Sequence, residues 1–151
     1  MHLLDIITIL CIGLMVGNEL TVSLFINPVM WQLEEQAQAK TLSLFARYLG
    51  KAMPIWYILS LVLLIAEAYL RRHQPALAPL LAAIIIWIAV ILYTITTLVP
   101  INNRIAALTA SLPTQWRSEH KRWDALHRWR ILLLTIAMIC VTHALLKSSV
   151  I

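Results

Sequence analysis

The chain has 151 residues, 61% of them hydrophobic and 13% charged, with a mean hydropathy of +0.82; a soluble domain would carry about 25% charged residues. At about 20 apolar residues per crossing, this length accommodates four membrane spans with short connections and leaves no room for a separate water-soluble catalytic domain. Three glycines and the lack of ten-residue segments of alternating polarity exclude a transmembrane β-barrel. The net charge of +5 reports topology and not a nucleic-acid partner, because there is no solvated basic domain to bind one. The expected fold is all-α: an integral membrane four-helix bundle forming one domain over residues 1–151.

The first apolar segment covers residues 3–31 and is interrupted only by Asp5, Asn18, Glu19 and Asn27, with Asn27-Pro28 marking a bend or an end. It has neither a basic start nor a small-residue cleavage site, so it reads as a retained span and not a signal peptide. Residues 32–50 are more polar, and Leu42, Phe45, Leu49 and Met53 fall on one face at helical spacing. That pattern predicts an amphipathic helix lying on the membrane surface. A second span covers 54–70, and a third, uncharged, covers 77–99 and is closed by Pro100. The segment 101–128 carries much of the charge, and a helix from about Thr114 is expected to run unbroken into the fourth span, 129–147.

Basic residues fix the expected orientation. Arg71, Arg72 and Lys147 fall on one side; Lys40, Arg47, Lys51, Arg104, Arg117, Lys121, Arg122, Arg128 and Arg130 fall on the other. Three against nine puts both termini outside and the first and third connections in the cytoplasm, in a bacterial inner (plasma) membrane. Trp31, Trp56, Trp116, Trp123 and Trp129 lie near the cytoplasmic boundary, where an aromatic belt would sit. Cys11 and Cys140 lie inside spans without metal or redox spacing and read as packing residues.

Ionisable groups inside a span are costly and usually have partners. At 1.5 Å per residue Glu19 lies about 22 Å from the outer surface, in the cytoplasmic third of the core. Asn18, Ser23 and Asn27 extend a polar stripe from it, and Gly13 and Gly17 form a GxxxG pair that would let a neighbouring helix approach. Glu19 is either a glutamate that ties helices together or a functional carboxylate. The third span ends in Thr94, Thr96 and Thr97, then Asn102, Asn103 and Arg104 after Pro100, at a depth close to Asn27. Carbonyls freed by Pro100 would need donors such as the asparagine amides or Arg104. On the fourth helix Trp116, His120, Trp123, His127 and Arg130 are spaced 4, 3, 4 and 3, a seam along one face. A histidine there can move protons and an arginine can hold an anion or a charging carbonyl oxygen. No metal site is expected, since His120 and His127 are about 10.5 Å apart along the axis; a metal would need Glu19 and His127 plus ligands from other helices. Glu67 and His143 share a level toward the outside, near His2 and Asp5, and are expected to pair structurally or to pass protons.

Three stretches together resemble a known family: Gly17-Asn18-Glu19 to Asn27-Pro28, Val99-Pro100-Ile101-Asn102-Asn103-Arg104-Ile105, and Trp123-x-x-x-His127-x-x-Arg130. They resemble the anthrone-oxygenase-like family of four-helix membrane proteins, over essentially the whole chain. Most members have no established activity; a few, in polyketide pathways, are implicated in oxidising an anthrone to an anthraquinone with molecular oxygen. The resemblance implies a membrane oxygenase for a flat aromatic, anthrone- or quinol-like molecule. His127, or Glu19, would be the base and Arg130 would stabilise the enolate. Asn18, Asn27, Asn102, Asn103, Arg104 and Trp123 would bind the substrate. No flavin, nicotinamide or haem motif is present, so no cofactor is expected. Two other classes stay open: a non-catalytic protein binding a lipid, a quinone or a partner membrane protein, and a small proton-coupled transporter using Glu19, Glu67 and His143. The partners expected are membrane lipid and a small aromatic or quinone-like ligand, with a homo-oligomer allowed and no nucleic acid.

Overall fold

In the computed structural model, residues 2–109 and 111–148 are described. Four helices cover Leu3–Met30, Glu35–Leu70, Leu77–Ala106 and Trp116–Lys147, each long and apolar enough to cross a membrane. They are called here the first to fourth helix. The first packs on the second and fourth, and the third packs on the same two, so the four form an up-and-down ring. The connections at 31–34 and 107–115 lie at one end, and the connection at 71–76 lies at the end that carries the termini.

Two of the helices contain a proline that changes their geometry without ending them. Before Asn27-Pro28 the first helix widens into a single π turn, Val22–Ile26, and Asn27 N–H bonds Val22 O. The third does the same at Thr94–Leu98 ahead of Val99-Pro100, with Val99 N–H on Thr94 O. The wider turn moves the proline ring away from the carbonyl it would strike one turn back in a straight α-helix. The third helix therefore does not stop at Pro100 but continues to Ala106. Two threonine hydroxyls bond back within this helix, Thr96 Oγ1 donating to Leu92 O at 2.8 Å and Thr97 Oγ1 to Tyr93 O at 2.6 Å, whereas Asn102 donates to Ala46 O of the second helix and Arg104 to Glu119.

The predicted surface helix is not a separate element. Residues 35–53 are the first half of a 36-residue helix that runs through Pro54 to Leu70, a length of about 54 Å against a hydrocarbon core of about 30 Å. Its apolar residues turn inward because other helices project equally far. The fourth helix is continuous from Trp116, as expected, and Met30, Leu42, Ala46, Ile101, Ile105 and Trp116 pack into a second core layer beyond the span. The main core, with Met15, Leu64, Trp87 and Leu134 at its centre, lies nearer the termini. Gly13 meets Met138 at ordinary contact distance and nothing approaches Gly17, so the GxxxG pair does not mark a close helix crossing. Cys11 and Cys140 are free and half-buried.

The tryptophans are only partly a belt. Trp129 is exposed, but Trp56 donates to Cys11 O at 3.0 Å, and Trp116, which is buried, donates to Glu35 Oε1 at 3.1 Å. Trp31 and Trp123 stack on histidines.

Candidate functional site

Glu19 is the centre of a buried cluster drawn from three helices. Its Oε1 accepts from Tyr57 Oη at 3.0 Å; its Oε2 accepts from Arg130 Nη2 at 2.6 Å and lies 2.5 Å from His127 Nε2. All four side chains are buried. Three positively polarised donors on one carboxylate offset the cost of burying it, which an isolated glutamate could not do. The Arg130 guanidinium also lies over the Tyr57 ring, 5.8 Å from its centroid. Trp123 stacks on His127, with centroids 4.6 Å apart and planes 21° apart, and so fixes the imidazole plane.

The cluster forms one wall of a cavity of about 240 Å³ between the two core layers, slightly below the roughly 300–1,000 Å³ usual for small-molecule pockets. The opposite walls are apolar. Leu42, Phe45, Leu49 and Met53, the stripe that suggested a surface helix, face this space. Both π turns border it, through Val22 and Ile26 on one side and Thr94, Ile95 and Leu98 on the other. Such turns often mark functional sites. Ile58 and Ile95 line the cavity yet are 61% and 57% exposed on the outer face of the bundle. The cavity thus reaches the lipid-facing surface between the second and third helices. That gap is bridged by Asn102 Nδ2 donating to Ala46 O at 3.1 Å. Here Gly50 has a structural reason: a Cβ would lie 3.1 Å from the Asn102 amide.

Glu19, His127 and Arg130 come together, and Asn18, Asn27, Asn102 and Trp123 border the same cavity. Asn18 donates to Met53 Sδ at 3.6 Å, and Asn27 donates to Asp124 Oδ1 at 2.7 Å. Asn103 and Arg104 do not reach it: both are exposed, and Arg104 Nε pairs with Glu119 at 2.5 Å. Tyr57 is the residue that sequence reasoning missed. In the run PIWYILS it reads as one more interfacial aromatic, and no spacing rule marks it. Asp124 was also missed; it holds Asn27 and, at 2.8 Å, Arg128.

The polar layer toward the termini is built differently from the expectation. Glu67 accepts from Thr8 Oγ1 at 3.0 Å and from Arg71, and Arg71 also holds Asp5 at 2.7 Å. His143 shares the depth of Glu67 but faces outward, exposed; it is not the partner. The His2 side chain lies outside the described residues. Arg71 opens the connection at 71–76 but is fully buried, so it is not a solvent-exposed loop charge. Among the described residues no three His, Cys, Asp or Glu side chains group as a metal ion would require.

The model of the anthrone oxygenase family matches residues 42–140, about two thirds of the chain. The chain belongs to the anthrone oxygenase family. The match contains Tyr57, Asn102, Trp123, His127 and Arg130, whereas Asn18, Glu19 and Asn27 precede it. In this member of the anthrone oxygenase family, the carboxylate that binds the matched residues together is thus supplied from outside the matched segment. No match is found among curated proteins or among solved structures.

Proposed function

We propose that this protein is a membrane-embedded oxygenase that oxidises a flat aromatic, anthrone- or quinol-like molecule in the cavity beside Glu19. The observation that carries the reading is the state of His127. Its Nε2 is engaged by Glu19, while Nδ1 is buried in the cavity wall without a hydrogen-bond partner. An imidazole that donates from one nitrogen to a carboxylate presents a lone pair on the other, the arrangement of a general base held by an acid partner. Both oxygens of Glu19 are occupied by three donors, so Glu19 orients His127 and balances the charge it acquires, and His127 takes the proton.

The reaction needs no further electron source. His127 removes a proton from the ring methylene of the anthrone, and the enolate that forms is electron-rich enough to reduce oxygen. A carbon–oxygen bond forms, giving a ring peroxide; loss of the second ring proton with cleavage of the O–O bond releases water and leaves the new carbonyl. Four electrons leave the carbon and reduce one O2, with one oxygen atom kept and one released as water. Arg130, whose Nε has no partner, and Asn102 stabilise the enolate oxygen, and Trp123 offers a stacking face. No flavin, haem or metal enters this scheme.

A ligand of this class partitions into the bilayer, which agrees with a cavity that reaches the lipid face between the second and third helices. The basic-residue count supports an orientation with the two-connection end in the cytoplasm of a bacterial inner membrane and both termini outside; leaving out the buried Arg71 and Arg130 keeps the asymmetry at two against eight. The test is oxygen uptake by the purified protein in detergent with an anthrone. Wild type should consume oxygen and yield the anthraquinone, and His127→Gln and Glu19→Gln should each abolish this; full activity in both variants overturns the assignment.

A further inference from the structure

A second recess lies on the outer face of the fourth helix. Lys121, Asp124, Ala125, Arg128, Trp129 and Leu132 line it, at spacings of three and four that put them on one side of the helix. Both cations are held in place. Arg128, whose side chain is 65% exposed, donates from Nη2 to Asp124 Oδ2 at 2.8 Å, and Asp124 Oδ1 accepts from Asn27 Nδ2 of the first helix at 2.7 Å. The Lys121 ammonium lies 5.7 Å from the Trp31 ring, just past the end of the first helix. Asp124 is the one anion among the lining residues, and it is buried with both oxygens engaged. The recess therefore presents positive charge outward, from the ammonium and from the guanidinium N–H groups that Asp124 leaves free. Further along the fourth helix the exposed side chains turn apolar: Trp129 is 64% exposed, and Leu132, Ile136 and Ile139 follow.

We propose that this recess seats the headgroup of an anionic phospholipid, with the phosphate on Arg128 and Lys121, the ester region beside Trp129 and an acyl chain along Leu132 and Ile136. Cations, then an exposed indole, then aliphatic side chains is the order in which a membrane leaflet presents phosphate, interface and hydrocarbon. Charge selects the lipid: a zwitterionic headgroup brings its own cation to the phosphate, and an anionic one does not. Arg128 is already fixed through Asp124 to the first helix, so it loses less freedom on taking a phosphate than a loose surface arginine would. The Asn27–Asp124 bond stands between this recess and the cavity beside Glu19, since Asn27 borders the one and Asp124 the other. The lipid site is independent of the oxygenase reading.

The test titrates the full-length protein in detergent with phosphatidylglycerol and with phosphatidylcholine of the same acyl chains, and reads bound lipid by native mass spectrometry. Wild type should bind one phosphatidylglycerol at least about fivefold more tightly than phosphatidylcholine, the worth of one basic side chain near an anionic headgroup. The double variant Lys121→Gln, Arg128→Gln should lose that preference. A second double variant, Lys40→Gln, Lys51→Gln, removes the same charge from exposed positions on the second helix and should keep it. If the first double variant does not fold, Lys121→Gln alone leaves the Arg128–Asp124 pair in place and should lower the preference at least twofold. Equal binding of the two lipids by wild type, or equal loss of preference in the two double variants, overturns the site. Displacement of phosphatidylglycerol by an equal concentration of glycerol phosphate would make the ligand a free phosphate ester and overturn the lipid assignment.

Discussion

Glu19 and Glu67 are two buried glutamates at opposite ends of one bundle, held by closely similar donors. Each has a hydroxyl on Oε1, from Tyr57 or Thr8, and an arginine on Oε2, from Arg130 or Arg71. The difference lies in the third ionisable group. Around Glu67 it is Asp5, a second carboxylate that shares Arg71. Around Glu19 it is His127, which can change its protonation, and beside it lie a cavity and side-chain atoms without partners. A buried ion pair in a membrane bundle is thus not itself a mark of function. A proton-transferring side chain in a cavity wall, with one ring nitrogen left without a hydrogen-bond partner, is a better one.

Neutralising the two centres in turn should separate them. His127→Gln should lower turnover by at least about a hundredfold, the usual minimum contribution of a general base, while leaving the folded bundle intact by circular dichroism. Glu19→Gln should lower turnover comparably and also destabilise the protein, because Arg130 is left buried without its counter-charge, a loss of about 3–5 kcal/mol for a broken buried pair. Glu67→Gln should cost similar stability, read as a lower thermal midpoint in detergent, yet leave turnover per folded molecule unchanged. Equal losses of turnover in Glu67→Gln and Glu19→Gln would erase the functional difference between the two glutamates. A smaller effect is expected from Gly50→Ala: its Cβ crowds the Asn102 amide, so turnover should fall severalfold through the displaced bridge to Ala46. Least of all, Arg104→Ala removes an exposed ion pair with Glu119 and should change stability by less than about 1 kcal/mol and turnover not at all.

Depth along each helix was legible in the sequence, and direction around it was not. Counting 1.5 Å per residue placed Glu19, His127 and Arg130 at one level, and their three-way contact follows from the seam on the fourth helix. The same counting put His143 beside Glu67, where it has the right height and the wrong face. Asn102, Asn103 and Arg104 show why. Each residue turns an α-helix by about 100°, and the π turn at Thr94–Leu98 shifts the phase of everything after it. Only Asn102 of the three is left bordering the cavity.

Composition and hydropathy determined by themselves that the chain is a four-helix membrane bundle, because about 20 apolar residues cannot stay in water and their number sets the number of crossings. The prolines were legible as places where the backbone changes, although the third helix runs on past Pro100 to Ala106. What only the tertiary structure decided is which polar groups meet. The second helix continues below the span and closes a cavity with what had looked like a surface-facing stripe. Tyr57 turns inward to Glu19, and Arg71 is drawn from its loop into the network near the termini. These outcomes depend on helix phase and on neighbours distant in sequence, and buried charges settle wherever opposite charge and hydrogen-bond donors are within reach.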